Sequence, residues 1–298
     1  MSENKPANHT IFSIDAVMPP EMAAKVEEVG VSKATMSLRK TFSLAVLAGA
    51  FIALGAIFAT TVTTGAADQM PYGLVKMLGG LAFCLGLILV IVAGAELFTG
   101  NNLIIMAWAN RHISTDQVLA NWGIVYAGNL LGSFATAIFM FLTKQYTFGG
   151  GALGVNVLNI ASTKCSYQFL QAVALGVMCN ALVCLAVWLC FSARTTTDKI
   201  LSIIFPITAF VAAGFEHSVA NMYFIPAGLL VKAWAPPSFW EAIGKSPADY
   251  GNLTWGNFLI SNLMPVTIGN IIGGAVLVGL VYWFIYIREG VITFKVEI

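Results

Sequence analysis

The chain has 298 residues, of which 58% are hydrophobic and only 10% charged, whereas roughly a quarter of residues are charged in soluble domains. That composition excludes an ordinary soluble protein and makes lipid the expected solvent. A formal net charge of +1 gives no reason to expect a nucleic-acid partner, whose binding needs clustered phosphate-neutralising charge.

The first 40 residues mix acids and bases without an apolar core, so no cleaved signal peptide is expected. Within this arm Pro19 and Pro20 mark a helix start, and Met22, Val26 and Val29 fall on one face with a Glu21 to Lys25 pair opposite. The reading is a short amphipathic cytoplasmic helix able to dock on the inner mouth, a soluble partner or the membrane surface.

A spanning helix needs about 20 largely apolar residues to cross roughly 30 Å of hydrocarbon. Residues 41–67 meet that requirement first. From Met77 to Asn110 the apolar run is interrupted by Glu96 and the polar cluster after it. As one rod it would be about 50 Å long, more than the bilayer is thick, so a helix break at Glu96 is predicted. Residues 117–143 form the third span, and GGGALGVNVLNIASTK, ending at Lys164, reads as a structured outer loop. Residues 165–193 form the fourth span, 200–231 a fifth that is broken at Glu216 and His217, and 250–287 the sixth, apolar from about 256.

The sequence therefore predicts an all-α integral membrane protein: an arm over 1–40, a six-span channel domain over 41–287 and a tail over 288–298. Ten of the fifteen Lys and Arg residues fall on the side of the two termini, which places both termini in the cytoplasm. The five cysteines have no CxxC spacing and an odd count, so neither a disulfide framework nor a metal site is expected.

Two internal matches order the spans. AGAELFTGNN at 93–102 aligns with AGFEHSVANM at 213–222, and NWGIVYAGNLLG from Asn121 aligns with NLMPVTIGNIIG from Asn262. The first pair falls at the two breaks, and the halves are 41–143 and 165–287 with three spans each. An odd number of spans per repeat inverts the second copy, and broken helices in such folds meet near the midplane. Substrate binding is expected there, where free N–H groups and positive dipole ends can face an anion. The GxxxG steps GNLLG and GNIIG read as close helix packing, with Asn129 and Asn270 bonding neighbouring backbone.

His217 is the one histidine expected within the bilayer. It is a functional candidate by its depth, as proton donor to a passing anion or as pH gate, and the competing reading is a helix-end histidine bonded to backbone. Glu96 and Glu216 occupy matched places where carboxylates can satisfy unpaired N–H groups, and they read as scaffold. Thr99 and Ser218 can donate to a substrate or cap a helix. Lys164 taken alone reads as a solvated flank.

Together AELFTGN, GFEHSVANM, the run ending at Lys164 and MPVTIGNIIGG at 264–274 resemble the formate/nitrite transporter family, on its formate-channel branch. The resemblance implies an aquaporin-like protomer in a homopentamer, with one pore per protomer. It implies Leu97 and Phe98 as the cytoplasmic constriction, and Phe83, Leu87 and Phe210 as the outer one. Thr99 and His217 would flank a central site, with Asn180 and Val183 lining the path and Lys164 attracting the anion. Asn101 and Asn221 belong to the break motifs. The resemblance further implies transport of formate, or else of nitrite or hydrosulfide, across a bacterial inner membrane. It implies no cofactor and no catalytic residue, with pyruvate formate-lyase as a cytoplasmic partner of the arm. A membrane enzyme or heme protein is disfavoured because one buried histidine supplies neither a nucleophile–base group nor paired axial ligands.

Overall fold

The computed structural model describes residues 15–66 and 69–288. The start of the predicted arm, with Lys5 and His9, and nearly all of the predicted tail, with Lys295, lie outside the described residues.

All regular structure among the described residues is helical. In chain order the elements are α1 (Pro19–Thr35), α2 (Leu38–Thr63), α3 (Tyr72–Ala93), α4 (Ile105–Ala109), α5 (Thr115–Leu142) and α6 (Ala152–Lys164). There follow α7 (Phe169–Ser192), α8 (Thr196–Ala212), α9 (Ser218–Trp234), α10 (Pro237–Ile243) and a last helix, α11 (Asn257–Tyr286). α11 widens to π geometry over Asn257–Leu263 and Ile272–Leu280. α2, α3, α5, α7 and α11 are each long and apolar enough to cross a membrane. α8 and α9, at 17 residues each, rise about 26 Å apiece, a little less than the hydrocarbon thickness.

The chain leaves helical geometry at the two predicted places. α3 ends at Ala93, Gly94 turns the backbone at φ +80°, and helical winding resumes in a 3₁₀ turn at Gly100. α8 ends at Ala212, Gly214 turns at φ +75°, and α9 begins at Ser218. A side chain is strained in that left-handed region, which suits glycine to both positions.

The stretch expected as a loop before Lys164 is instead the helix α6. Gly149, Gly150 and Gly151 at φ +62°, +64° and +92° reverse the chain. The segment then buries Leu153, Gly154, Leu158 and Ala161 along one face. Its modest apolar content is the mark of a one-sided helix, and 13 residues are too few to span a bilayer.

Small residues bring the long helices into contact. A Cβ on Gly132 would collide with the Val46 carbonyl of α2, and one on Gly273 with the Val177 carbonyl of α7. The GxxxG steps thus hold α5 on α2 and α11 on α7 in the same way. The arm helix α1 buries Met22, Ala23 and Val26 against Leu103, Met106, Trp188 and Val278. Its lead-in is tied down by Val17 N–H to the Ser192 carbonyl (3.2 Å) and by Ser192 Oγ to the Val17 carbonyl (2.9 Å).

Candidate functional site

The two non-helical segments are held by asparagines from the neighbouring helices. Asn129 of α5 accepts from Phe98 N–H at 2.9 Å and donates to the carbonyls of Ala45 and Glu96. Asn270 of α11 accepts from Ser218 N–H at 2.9 Å and donates to the carbonyls of Gly176 and Glu216. The backbone of Glu96 donates to Leu44, and that of Glu216 to Leu175, each at 3.2 Å.

With these backbone groups satisfied, both glutamates turn to side chains. Glu216 accepts from Lys164 Nζ (2.7 Å), Asn221 Nδ2 (2.7 Å) and Asn262 Nδ2 (3.1 Å). Asn221 also bonds Asn262, whose Nδ2 reaches the Lys164 carbonyl at 2.9 Å. The first half repeats the pattern: Glu96 accepts from Lys33 Nζ and Asn101 Nδ2, both at 2.7 Å. Asn101 bonds Asn121 at 3.0 Å, and Asn121 reaches the Lys33 carbonyl at 3.2 Å. The glutamates therefore anchor lysines and asparagines, not the N–H groups that the sequence suggested.

Lys164 is not a solvated flank. Its side chain is 14% exposed against 2% for Glu216, and its ammonium stands 5.3 Å from the Phe224 ring centre. Lys33 is the partner that sequence reasoning missed, because it was counted only with the charge of the arm. A signal was present: Lys33 stands five residues before α2 starts at Leu38, and Lys164 five before α7 starts at Phe169.

Between the two clusters lies His217. Its Nδ1 accepts from Ala220 N–H at 3.1 Å, making it the cap of α9. A backbone amide can only donate, so Nδ1 carries the lone pair and the ring proton sits on Nε2. Nε2 is 3.1 Å from Thr99 Oγ1 and therefore donates to it, across the two interruptions. Both readings of His217 meet in one residue: one nitrogen is bonded to backbone and the other faces Thr99. A second proton, on Nδ1, would confront the Ala220 N–H and break the cap.

Thr99 is fully buried, and its carbonyl accepts from Asn180 Nδ2 (3.2 Å) and Cys184 Sγ (3.3 Å). Asn180 Oδ1 and Ser218 Oγ are buried without a partner among the described residues. The aromatic wall is Phe83 edge-on to Phe210 at 5.7 Å, with Phe210 stacked on the His217 ring at 6.0 Å.

Two cavities approach this centre. One, of about 290 Å³, is bordered by Lys76, Phe83, Lys164, Phe210 and His217. The other, of about 460 Å³, is bordered by Lys33, Lys40, Leu87, Glu96 and Leu97, with Val26 and Gly30 of α1 on its wall. Leu87 borders the second cavity and Phe83 and Phe210 the first, and neither cavity is bordered by Phe98, Thr99, Asn180 or Val183. Phe98 packs edge-on to Tyr126 at 4.9 Å and Trp122 at 6.2 Å. Among the described residues no group of His, Cys, Asp and Glu is arranged to hold a metal ion.

Five helices of membrane length, with a buried Thr99–His217 contact joining two non-helical segments, point to a membrane transport protein. The family model described as formate/nitrite transporter matches residues 20–284, and the chain belongs to that family. It is 48% identical to the formate channel FocA of Escherichia coli K12 over 275 residues, 92% of this chain and 96% of that protein. It resembles a solved pentameric formate channel with formate bound at a TM-score of 0.80 and 50% identity, covering 84% of this chain and 98% of that one. A solved ion channel of the same family matches at a TM-score of 0.73 and 28% identity, covering 89% of this chain and 98% of that one. These relatives are channels and not enzymes.

Proposed function

We propose that this chain carries formate in both directions across the bacterial cytoplasmic membrane, with one path in each protomer of a homopentamer and both termini on the cytoplasmic side. The observation that carries the reading is the buried Thr99–His217 contact, with His217 on the wall of a cavity, in a chain 48% identical to a formate channel.

In this reading the path runs between two inverted three-span repeats. α3 with α4, and α8 with α9, are spans two and five, broken at residues 94–99 and 213–217. Support comes from the duplicated Lys–Glu–Asn–Asn clusters and from Tyr126, whose hydroxyl is 2.8 Å from that of Thr267. Those two residues are five positions beyond Asn121 and Asn262, and so are repeat mates. The cavity with Lys164 is then the outer vestibule and the cavity with Lys33 the inner one. Leu97 with Phe98, and Phe83 and Phe210 with Leu87, are the two apolar constrictions.

At the centre His217 Nε2–H and the Thr99 hydroxyl supply two donors, one for each oxygen of a carboxylate. A bare carboxylate between apolar constrictions faces an idealised Born cost of order 20 kcal/mol, of which several kcal/mol survive relaxation. Protonating an acid of pKa near 4 at pH 7 costs about 4 kcal/mol. The crossing species is therefore neutral formic acid, for whose O–H the unpartnered Asn180 Oδ1 is a suitable acceptor. The Ala220 bond to Nδ1 favours a neutral ring in the conducting state. A second proton on that ring closes the path by releasing the cap of α9, which makes His217 an acid gate.

The arm helix α1 turns Glu21, Lys25 and Glu28 to solvent, and pyruvate formate-lyase is the partner proposed for that face. Uptake by purified protein in proteoliposomes, with formate, nitrite and hydrosulfide in competition, tests the substrate. Formate entry outpacing the other two is expected; preferred entry of nitrite or hydrosulfide would reassign the substrate within the family.

A further inference from the structure

Of the charges that border the two cavities, most are already cancelled. In the cavity with His217 the Lys164 ammonium is paired at 2.7 Å with Glu216, so that the pair presents no net charge to an approaching ion. The same holds for Lys33 and Glu96, paired at 2.7 Å on the opposite side. What remains on the first cavity is Lys76, half-buried near the start of α3, whose nearest charge-like contact is the Tyr72 ring at 5.4 Å. What remains on the second is Lys40, exposed near the start of α2. Among the described residues no carboxylate is paired with either lysine.

We infer that Lys76 and Lys40 are the entry charges of the two mouths: they raise the local concentration of the monovalent anion, while Lys164 and Lys33 serve mainly to hold the broken helices. The physical basis is that a charge-neutral pair has only a short-range dipolar field. An unpaired cation on the wall of a cleft with apolar sides projects its field into the entrance and concentrates counter-ions there. Each mouth thus carries a fixed, structural ammonium and a separate one free to act at a distance. Sequence alone did not single out Lys76 or Lys40, because nothing in the chain says which lysines find carboxylates.

This inference rests on the transport reading above, and the test separates the two. Wild type, Lys76→Glu, Lys76→Arg and Lys40→Glu are reconstituted in vesicles of one orientation, and initial formate flux is measured from each side at subsaturating formate. Ionic strengths of about 10 mM and about 1 M are used, where the Debye length is about 30 Å and 3 Å. At low salt Lys76→Glu is expected to lower entry from the Lys164 side by about tenfold, at the lower end of the range for electrostatic steering, with the deficit vanishing at high salt. Lys76→Arg keeps the wild-type rate, and Lys40→Glu gives the deficit from the opposite side. Wild-type entry by Lys76→Glu at low salt overturns the inference, as does a deficit that persists at high salt. An inert wild type would instead sink the transport reading itself.

Discussion

Glu216→Ala is expected to prevent stable assembly of the protein. The carboxylate is buried and receives three bonds, from Lys164, Asn221 and Asn262. Its loss strands the Lys164 ammonium and two asparagine amides between α6, α9 and α11. Breaking a buried ion pair on one side typically costs about 3–5 kcal/mol, a large part of the total stability of most domains. The double variant Lys164→Met with Glu216→Gln removes both charges and keeps amide partners for the asparagines, so it recovers most of the assembled protein. Thermal unfolding in detergent with size-exclusion chromatography provides the measurement. If the single variant assembles and melts like wild type, the cluster does not hold the break. If the double variant is no better than the single one, the stranded charge is not the cause.

The second large effect concerns the ring itself. His217→Phe keeps an aromatic ring against Phe210 but removes both the α9 cap and the Nε2–H donor. A hydrogen bond to a charged group contributes about 1.5–3 kcal/mol, so formate flux is expected to fall about 10- to 150-fold. His217→Asn keeps a neutral donor and one of the best capping side chains; its flux stays within about tenfold of wild type. The sign of the pH response separates the two roles. Because the crossing species carries a proton, wild-type flux at fixed formate rises as pH falls from neutral. It declines once the ring takes a second proton and the α9 cap is lost. His217→Asn has no such second site and keeps rising. A decline in His217→Asn matching that of wild type would remove His217 from gating.

The departures from helical geometry after Ala93 and Ala212 were legible because their signals are local. An acidic residue in a long apolar run, a glycine two positions before it and a matched motif 120 residues later all lie on the chain itself. The packing of Gly132 and Gly273 and the backbone bonds of Asn129 and Asn270 were legible for the same reason. Pairing through space was not. Glu96 and Glu216 were assigned to backbone donors, but Asn129 and Asn270 already take Phe98 N–H and Ser218 N–H. That leaves the carboxylates to lysines 63 and 52 positions away. The same limit hid Lys33 and turned α6 into an expected loop, since the partners that bury one face of α6 come from far along the chain.

The central claim is that formate passes the constrictions as the neutral acid. Formate uptake and lumen acidification, recorded together in one preparation of voltage-clamped proteoliposomes, test it most directly. The account predicts one proton delivered for each formate taken up and no net current. A current matching the formate flux, with the lumen pH unchanged, would contradict it.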